Sequence, residues 1–157
     1  MAVQLDHLLV PSKDKNRAAK SFAEILGVRW EPCGEEPAAP SARPRVPAVS
    51  DFDWRQYRAQ RASVYVNDSL TIDFVDARLF RADQPIPINH YCFRVSDADF
   101  DAVVERIKKA GLKFSSTGVG EPDDKINTRL GGKGFFFTEP DGHSWEILTV
   151  SYARPGK

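Results

Sequence analysis

The sequence predicts an α+β fold built from two βαβββ modules. Three observations predict it. Two β-rich segments each carry a central imidazole and lead into an amphipathic helical stretch: Leu5-Asp6-His7-Leu8-Leu9-Val10 and Ile88-Asn89-His90-Tyr91-Cys92-Phe93. Two further segments close the halves, each with a carboxylate inside an apolar run: Leu70-Thr71-Ile72-Asp73-Phe74-Val75 and His143-Ser144-Trp145-Glu146-Ile147-Leu148. Between helix and closing segment, each half holds two more short strand patterns. Residues 1–80 form the first module and 85–152 the second, within a single domain over 1–157.

The first strand is expected around Leu5–Val10, ended by Pro11 and the polar Ser12-Lys13-Asp14. A helix follows from Lys15 to Leu26. Ala18, Ala19, Phe22, Ile25 and Leu26 share one face at helical spacing. Asp14 or Asn16 can cap its start, and Gly27 stands where a C-cap glycine belongs. Strands are expected at Val28–Trp30, Ala62–Val66 and Leu70–Asp76.

The second module repeats the order. Its strand runs through His90–Val95. Ser96 and Asp99 have the spacing of a capping box. Phe100, Val103, Val104 and Ile107 form the apolar stripe, and Gly111 ends the helix. Strands are expected at Lys113–Ser116, Gly134–Thr138 and Ser144–Val150. The closing pairs join through Val66-Asn67-Asp68-Ser69 and Glu139-Pro140-Asp141-Gly142, residues that suit tight hairpins. Residues 31–50 break the symmetry. Pro32, Pro37, Pro40, Pro44 and Pro47 exclude a helix or central strand. This insertion, with Phe52, Trp54 and Tyr57 after it, is a lid or a surface excursion.

Composition narrows the function classes. The chain has 157 residues, 22 basic and 22 acidic, and a formal net charge of zero. No global field steers it toward nucleic acid or an anionic membrane. No apolar run reaches the roughly 20 residues that cross a bilayer. No signal peptide is read at the N-terminus. Cys33 and Cys92 lack metal or redox spacing and are read as free thiols. A cytoplasmic setting is expected.

The polar residues of the strands carry the chemistry. Alternate side chains of a strand share a face. His90 therefore shares a face with Cys92 and Arg94, and Glu146 with Ser144 and Leu148. Asp73 shares one with Thr71 and Val75, and His7 with Leu5 and Leu9. The opposite apolar sets cover the helices. Two imidazoles with one or two carboxylates suit Fe, Mn, Zn, Ni or Co as a divalent ion. The candidate ligands are His7, His90, Glu146 and Asp73. Glu146 is also the candidate catalytic residue. Arg94 can grip an anionic group bidentately. Arg129 and Trp54 are further substrate-binding candidates. His143, at odd separation from Glu146, is read as structural.

These segments, with Gly134-Phe135-Phe136-Phe137-Thr138-Glu139-Pro140-Asp141-Gly142-His143-Ser144-Trp145-Glu146-Ile147, resemble the vicinal-oxygen-chelate superfamily. That group includes glyoxalase I, extradiol dioxygenases, fosfomycin-resistance enzymes and bleomycin-resistance proteins. The resemblance covers nearly the whole chain outside the insertion. It implies paired βαβββ modules whose curled mixed sheets surround a metal cavity, with helices on the outer face. It places ligands on first and last strands, hence His7, His90, Glu146 and Asp73, and implies a homodimer. Two positions depart from subgroups. Asp73 is one methylene shorter than the glutamate of glyoxalase I. Leu9 stands where glutathione-transferring fosfomycin enzymes carry a catalytic threonine.

Two functions are therefore expected to compete. One is a metal-dependent lyase, isomerase or dioxygenase that chelates a small oxygenated molecule. The other is a metal-free drug- or metabolite-binding protein of the bleomycin-resistance type, with Trp54, Tyr57 and Phe136 stacked on a planar ligand.

Overall fold

A computed structural model describes residues 4–34, 60–79 and 85–153. Most of the proline-rich insertion, with Phe52, Trp54 and Tyr57, lies outside the described residues. The chain divides into two compact units: residues 1–24 with 28–87, and residues 25–27 with 88–157.

The first unit runs β1 (His7–Ser12), α1 (Lys15–Leu26), β2 (Arg29–Glu31), β3 (Arg61–Tyr65) and β4 (Thr71–Asp76). Its sheet has the order β1-β4-β3-β2. The β1–β4 pair is parallel and the others are antiparallel. Asp14 accepts from the Arg17 N–H at 3.0 Å and so caps α1. Phe22 on α1 packs on Phe74 of β4, with ring centroids 5.9 Å apart. Val10, Ala62, Val64, Ile72 and Phe74 are fully buried, so one face of this sheet is core.

The second unit repeats the plan. It runs β5 (His90–Arg94), α2 (Asp97–Lys109), β6 (Phe114–Ser115), β7 (Gly134–Thr138) and β8 (Ser144–Leu148), with sheet order β5-β8-β7-β6. Again the first and last strands pair in parallel. Ser96 caps α2, its hydroxyl accepting from the Asp99 N–H at 3.2 Å and donating to the Asp99 carboxylate at 2.7 Å. The core is aromatic. Phe100 of α2 meets Phe135 edge-on at 5.2 Å, and Tyr91 stacks on Trp145 at 4.5 Å. The expected α+β class with paired βαβββ order is what the structure shows.

Gly27 needs its lack of a side chain twice over. Its φ is +71°, and a Cβ there would sit 2.4 Å from the Arg106 guanidinium carbon. That guanidinium donates to the Leu26 carbonyl at 3.2 Å, satisfying a helix-end acceptor.

Some boundaries differ from expectation. Pro11 does not end β1, which continues to Ser12. β1 is an edge strand, and a proline without an N–H is tolerated there. Strand β8 stops at Leu148, two residues early, and β6 holds only two residues. Thr149 still receives the Lys133 N–H on its hydroxyl, at 3.0 Å. No described helix is long and apolar enough to cross a membrane.

Candidate functional site

Strand register places the polar residues of the second unit. His90 pairs with Ser144, Cys92 with Glu146, and Arg94 with Leu148. Glu146 pairs in turn with Phe136, and Phe136 with Ser115. Paired residues share a face, so His90, Cys92, Arg94, Glu146 and Phe136 belong to one surface. The alternate residues Tyr91, Phe93, Trp145 and Ile147 belong to the other.

Glu146 is the centre of that surface. It is 1% exposed, whereas the His90 side chain is 48% exposed. Its Oε2 lies 3.3 Å from His90 Nε2. Ser144 Oγ lies 3.4 Å from the other ring nitrogen, Nδ1. The imidazole thus stands between a hydroxyl and a buried carboxylate. Phe136 flanks it, with ring centroids 5.9 Å apart.

Two further groups touch Glu146. The Tyr152 hydroxyl donates to Oε2 at 2.6 Å. That bond, then lost hydration and the carboxylate charge, push the Tyr152 phenol up to about 12. Arg129 lies close enough for its charge to oppose the shift. Cys92 is bonded to Glu146 as well. Lost hydration first, then the Glu146 charge and this bond, push its thiol up to about 12. Both groups stay protonated at neutral pH and act as donors.

Asp73 occupies the matching place in the first unit, and its surroundings differ. Its register partner on β1 is Leu9, two residues beyond His7. It is 6% exposed. Arg61 donates to its Oδ2 at 3.1 Å, and Ser63 to its Oδ1 at 2.6 Å. Both of its oxygens are therefore engaged by β3. His7 is half-exposed, and its Nδ1 lies 2.9 Å from the carboxylate of its neighbour Asp6.

The structure thus joins His90 to Glu146 directly and gives His7 and Asp73 separate partners. Among the described residues, no three His, Cys, Asp or Glu side chains gather into a metal cluster. Arg94 is exposed on the His90 face, and Arg129 is exposed in a short 3-10 turn. Trp54 lies outside the described residues. His143 is fully buried. Its Nδ1 accepts from the Asn89 N–H at 3.2 Å. Tyr152 is the residue that the sequence reading missed. Its one signal is an aromatic hydroxyl six positions after Glu146.

Fold and register together define a duplicated βαβββ protein. The profile of the Glyoxalase/Bleomycin resistance protein/Dioxygenase superfamily matches residues 6–128. The chain belongs to this superfamily, the vicinal-oxygen-chelate proteins. Its structure is similar to that of oxidase ChaP-H2, with a TM-score of 0.73 and 30% identity, covering 99% of this chain and 100% of that one. Oxidase ChaP-H1 gives a TM-score of 0.68 and 32% identity, covering 98% of this chain and 100% of that one. Glutathione transferase FosA of Serratia marcescens is 28% identical over 82 residues, which are 52% of this chain and 51% of that protein. Fosfomycin resistance protein FosX of Mesorhizobium japonicum is 33% identical over 73 residues, 44% of this chain and 48% of that protein. The chain spans about half the length of these curated relatives.

Proposed function

We propose that this chain is a divalent-metal-dependent enzyme acting on a small oxygenated molecule, with two adjacent oxygens of the substrate chelated. The observation that carries the reading is the buried Glu146 carboxylate held 3.3 Å from the half-exposed His90 imidazole. Atoms that bind one ion at about 2.0–2.3 Å sit roughly 3–3.5 Å apart, so the pair fits such an ion. The donors suit Fe, Mn, Zn, Ni or Co.

His90 and Glu146 hold the ion in this reading, and His7 is the third ligand, from this chain or from a second copy. Asp73 is a minor contributor, because Arg61 and Ser63 hold its oxygens. When bound, the ion supplies Lewis-acid polarisation of the chelated oxygens. The protein's own groups do the rest. Arg94 takes an anionic part of the substrate, with Arg129 as an outer cation. Glu146 moves a proton at the reacting carbon or oxygen, with Tyr152 bonded to its Oε2. Phe136 excludes water beside His90. Leu9 has no hydroxyl, which disfavours the glutathione transfer named for FosA. Oxidase or dioxygenase and lyase chemistry remain the classes this donor set serves.

Thermal shift tests the reading. Mn²⁺ or Ni²⁺ is expected to raise the melting temperature of wild type. Diols, α-hydroxy carbonyl compounds or epoxides should raise it further only with the ion. Arg94→Ala should abolish the second rise for anionic compounds and keep the first. A metal-independent shift with planar cationic drugs, unchanged in Arg94→Ala, would instead favour metal-free sequestration. Phe136 beside the exposed imidazole is the feature that supports this second reading.

A homodimer belongs to the same proposal, since strands β1, β2, β5 and β6 end their sheets and leave edges to cover. Light scattering should give twice the chain mass of 17.6 kDa. A monomer at micromolar concentration would reject it.

A further inference from the structure

We propose that Tyr152 is a positioning residue for Glu146, its hydroxyl fixing the orientation in which this carboxylate receives a divalent ion. The proposal rests on the metal reading above. Tyr152 lies in an irregular segment after β8, four positions past Leu148, so no strand pairing holds it there. It is 46% exposed, yet it reaches back to a carboxylate that is 1% exposed. The 2.6 Å contact is in the short range of O–H···O⁻ bonds, which are roughly twice as strong as neutral ones.

The end of a glutamate turns freely, because its terminal torsion has broad minima. Strand β8 fixes the Glu146 backbone but not the plane of its carboxylate. Tyr152 supplies that constraint from outside the sheet. It bonds Oε2, the same oxygen that lies 3.3 Å from His90 Nε2. The hydroxyl thereby sets which lone pairs of the carboxylate remain beside the imidazole. A carboxylate has about four such directions, so the Tyr152 hydroxyl and the Cys92 thiol together still leave room for an ion. Groups that orient metal ligands in this way contribute about ten- to a hundredfold in affinity. In the first unit the orienting contacts of Asp73 come from within the sheet, through Ser63 and Arg61. Among the described residues, a contact from beyond the last strand is seen only in the second unit.

Cobalt is a suitable probe, since its visible spectrum reports the ligand arrangement as well as occupancy. The full chain is titrated with Co²⁺ as wild type, Tyr152→Phe and Tyr152→Ala, with circular dichroism and melting to verify the fold. Tyr152→Phe should bind about tenfold more weakly, with an altered visible spectrum. Tyr152→Ala should weaken by a similar factor, because the hydroxyl and not the ring does the positioning. Wild-type affinity and spectrum in Tyr152→Phe would overturn the proposal. So would a loss seen only in Tyr152→Ala, which would mark the ring as mere cover. If wild type itself takes up no Co²⁺, the metal reading fails and this proposal falls with it. Binding by wild type with an unaltered Tyr152→Phe overturns the Tyr152 role alone.

Discussion

The two units place their carboxylates at the same register and treat them differently. His7 pairs with Thr71 and Leu9 with Asp73; His90 pairs with Ser144 and Cys92 with Glu146. Even the strand entries match, with the Asp6 carbonyl accepting from Thr71 and the Asn89 carbonyl from Ser144, both at 2.9 Å. The scaffold is therefore duplicated. The chemistry is not. Glu146 has the extra methylene and meets its unit's histidine, while its other contacts are donors without permanent charge. Asp73 is shorter and is neutralised by Arg61. A permanent cation on a carboxylate competes with a metal; a phenol, a thiol and an imidazole do not compete by charge in their neutral forms. A repeat can thus keep its backbone geometry while the contacts of its two carboxylates diverge.

Replacing Asp73 is the largest way to break this contrast on the stability side. Arg61 and Asp73 form a nearly buried pair, and removing one member of such a pair costs about 3 kcal/mol. Asp73→Ala should lower the urea midpoint accordingly while ion uptake persists. A stable Asp73→Ala protein without ion uptake would reverse the assignment of roles.

A smaller effect concerns Asp76, at the end of β4. The side-chain bond from Arg78, opposed by partial burial, holds its carboxyl below the usual range. A carboxylate lowered in the folded state stabilises above its unfolded value, and the gain is lost as pH falls through the folded value. Arg78 is half-exposed, so the contribution is about 0.5 kcal/mol. Asp76→Asn should be less stable than wild type at pH 7, and the gap should shrink as the pH falls below the ordinary aspartate value of 3.8. A gap that stays constant across that range would show the charge to be irrelevant.

Much of this arrangement was legible in the sequence because it is local. The helix bounds Lys15–Leu26 follow from the apolar spacing, an aspartate cap and a terminal glycine. The matching opening and closing strands of the two modules follow from the repeated segments, whereas their parallel pairing is seen only in the structure. Faces follow from alternation, which put His90, Arg94 and Glu146 on their surfaces and His143 elsewhere. The rest depends on tertiary register. Arg61 reaches Asp73 only because β3 runs antiparallel beside β4, and no local pattern announces it. Tyr152 belongs to no periodic element, so its contact with Glu146 had no signal beyond its residue type. Pro11 misled because a proline is a breaker only where its missing N–H is needed, and an edge strand does not need it.

In the proposed reading Glu146 holds an ion and Asp73 holds the fold. Equilibrium dialysis against Mn²⁺, followed by elemental analysis, tests it on wild type, Glu146→Gln and Asp73→Asn. Wild type is expected to take up one ion per site, Glu146→Gln to bind roughly a hundredfold more weakly or worse, and Asp73→Asn to stay near wild type. Full uptake by Glu146→Gln, or equal losses in the two variants, would contradict it.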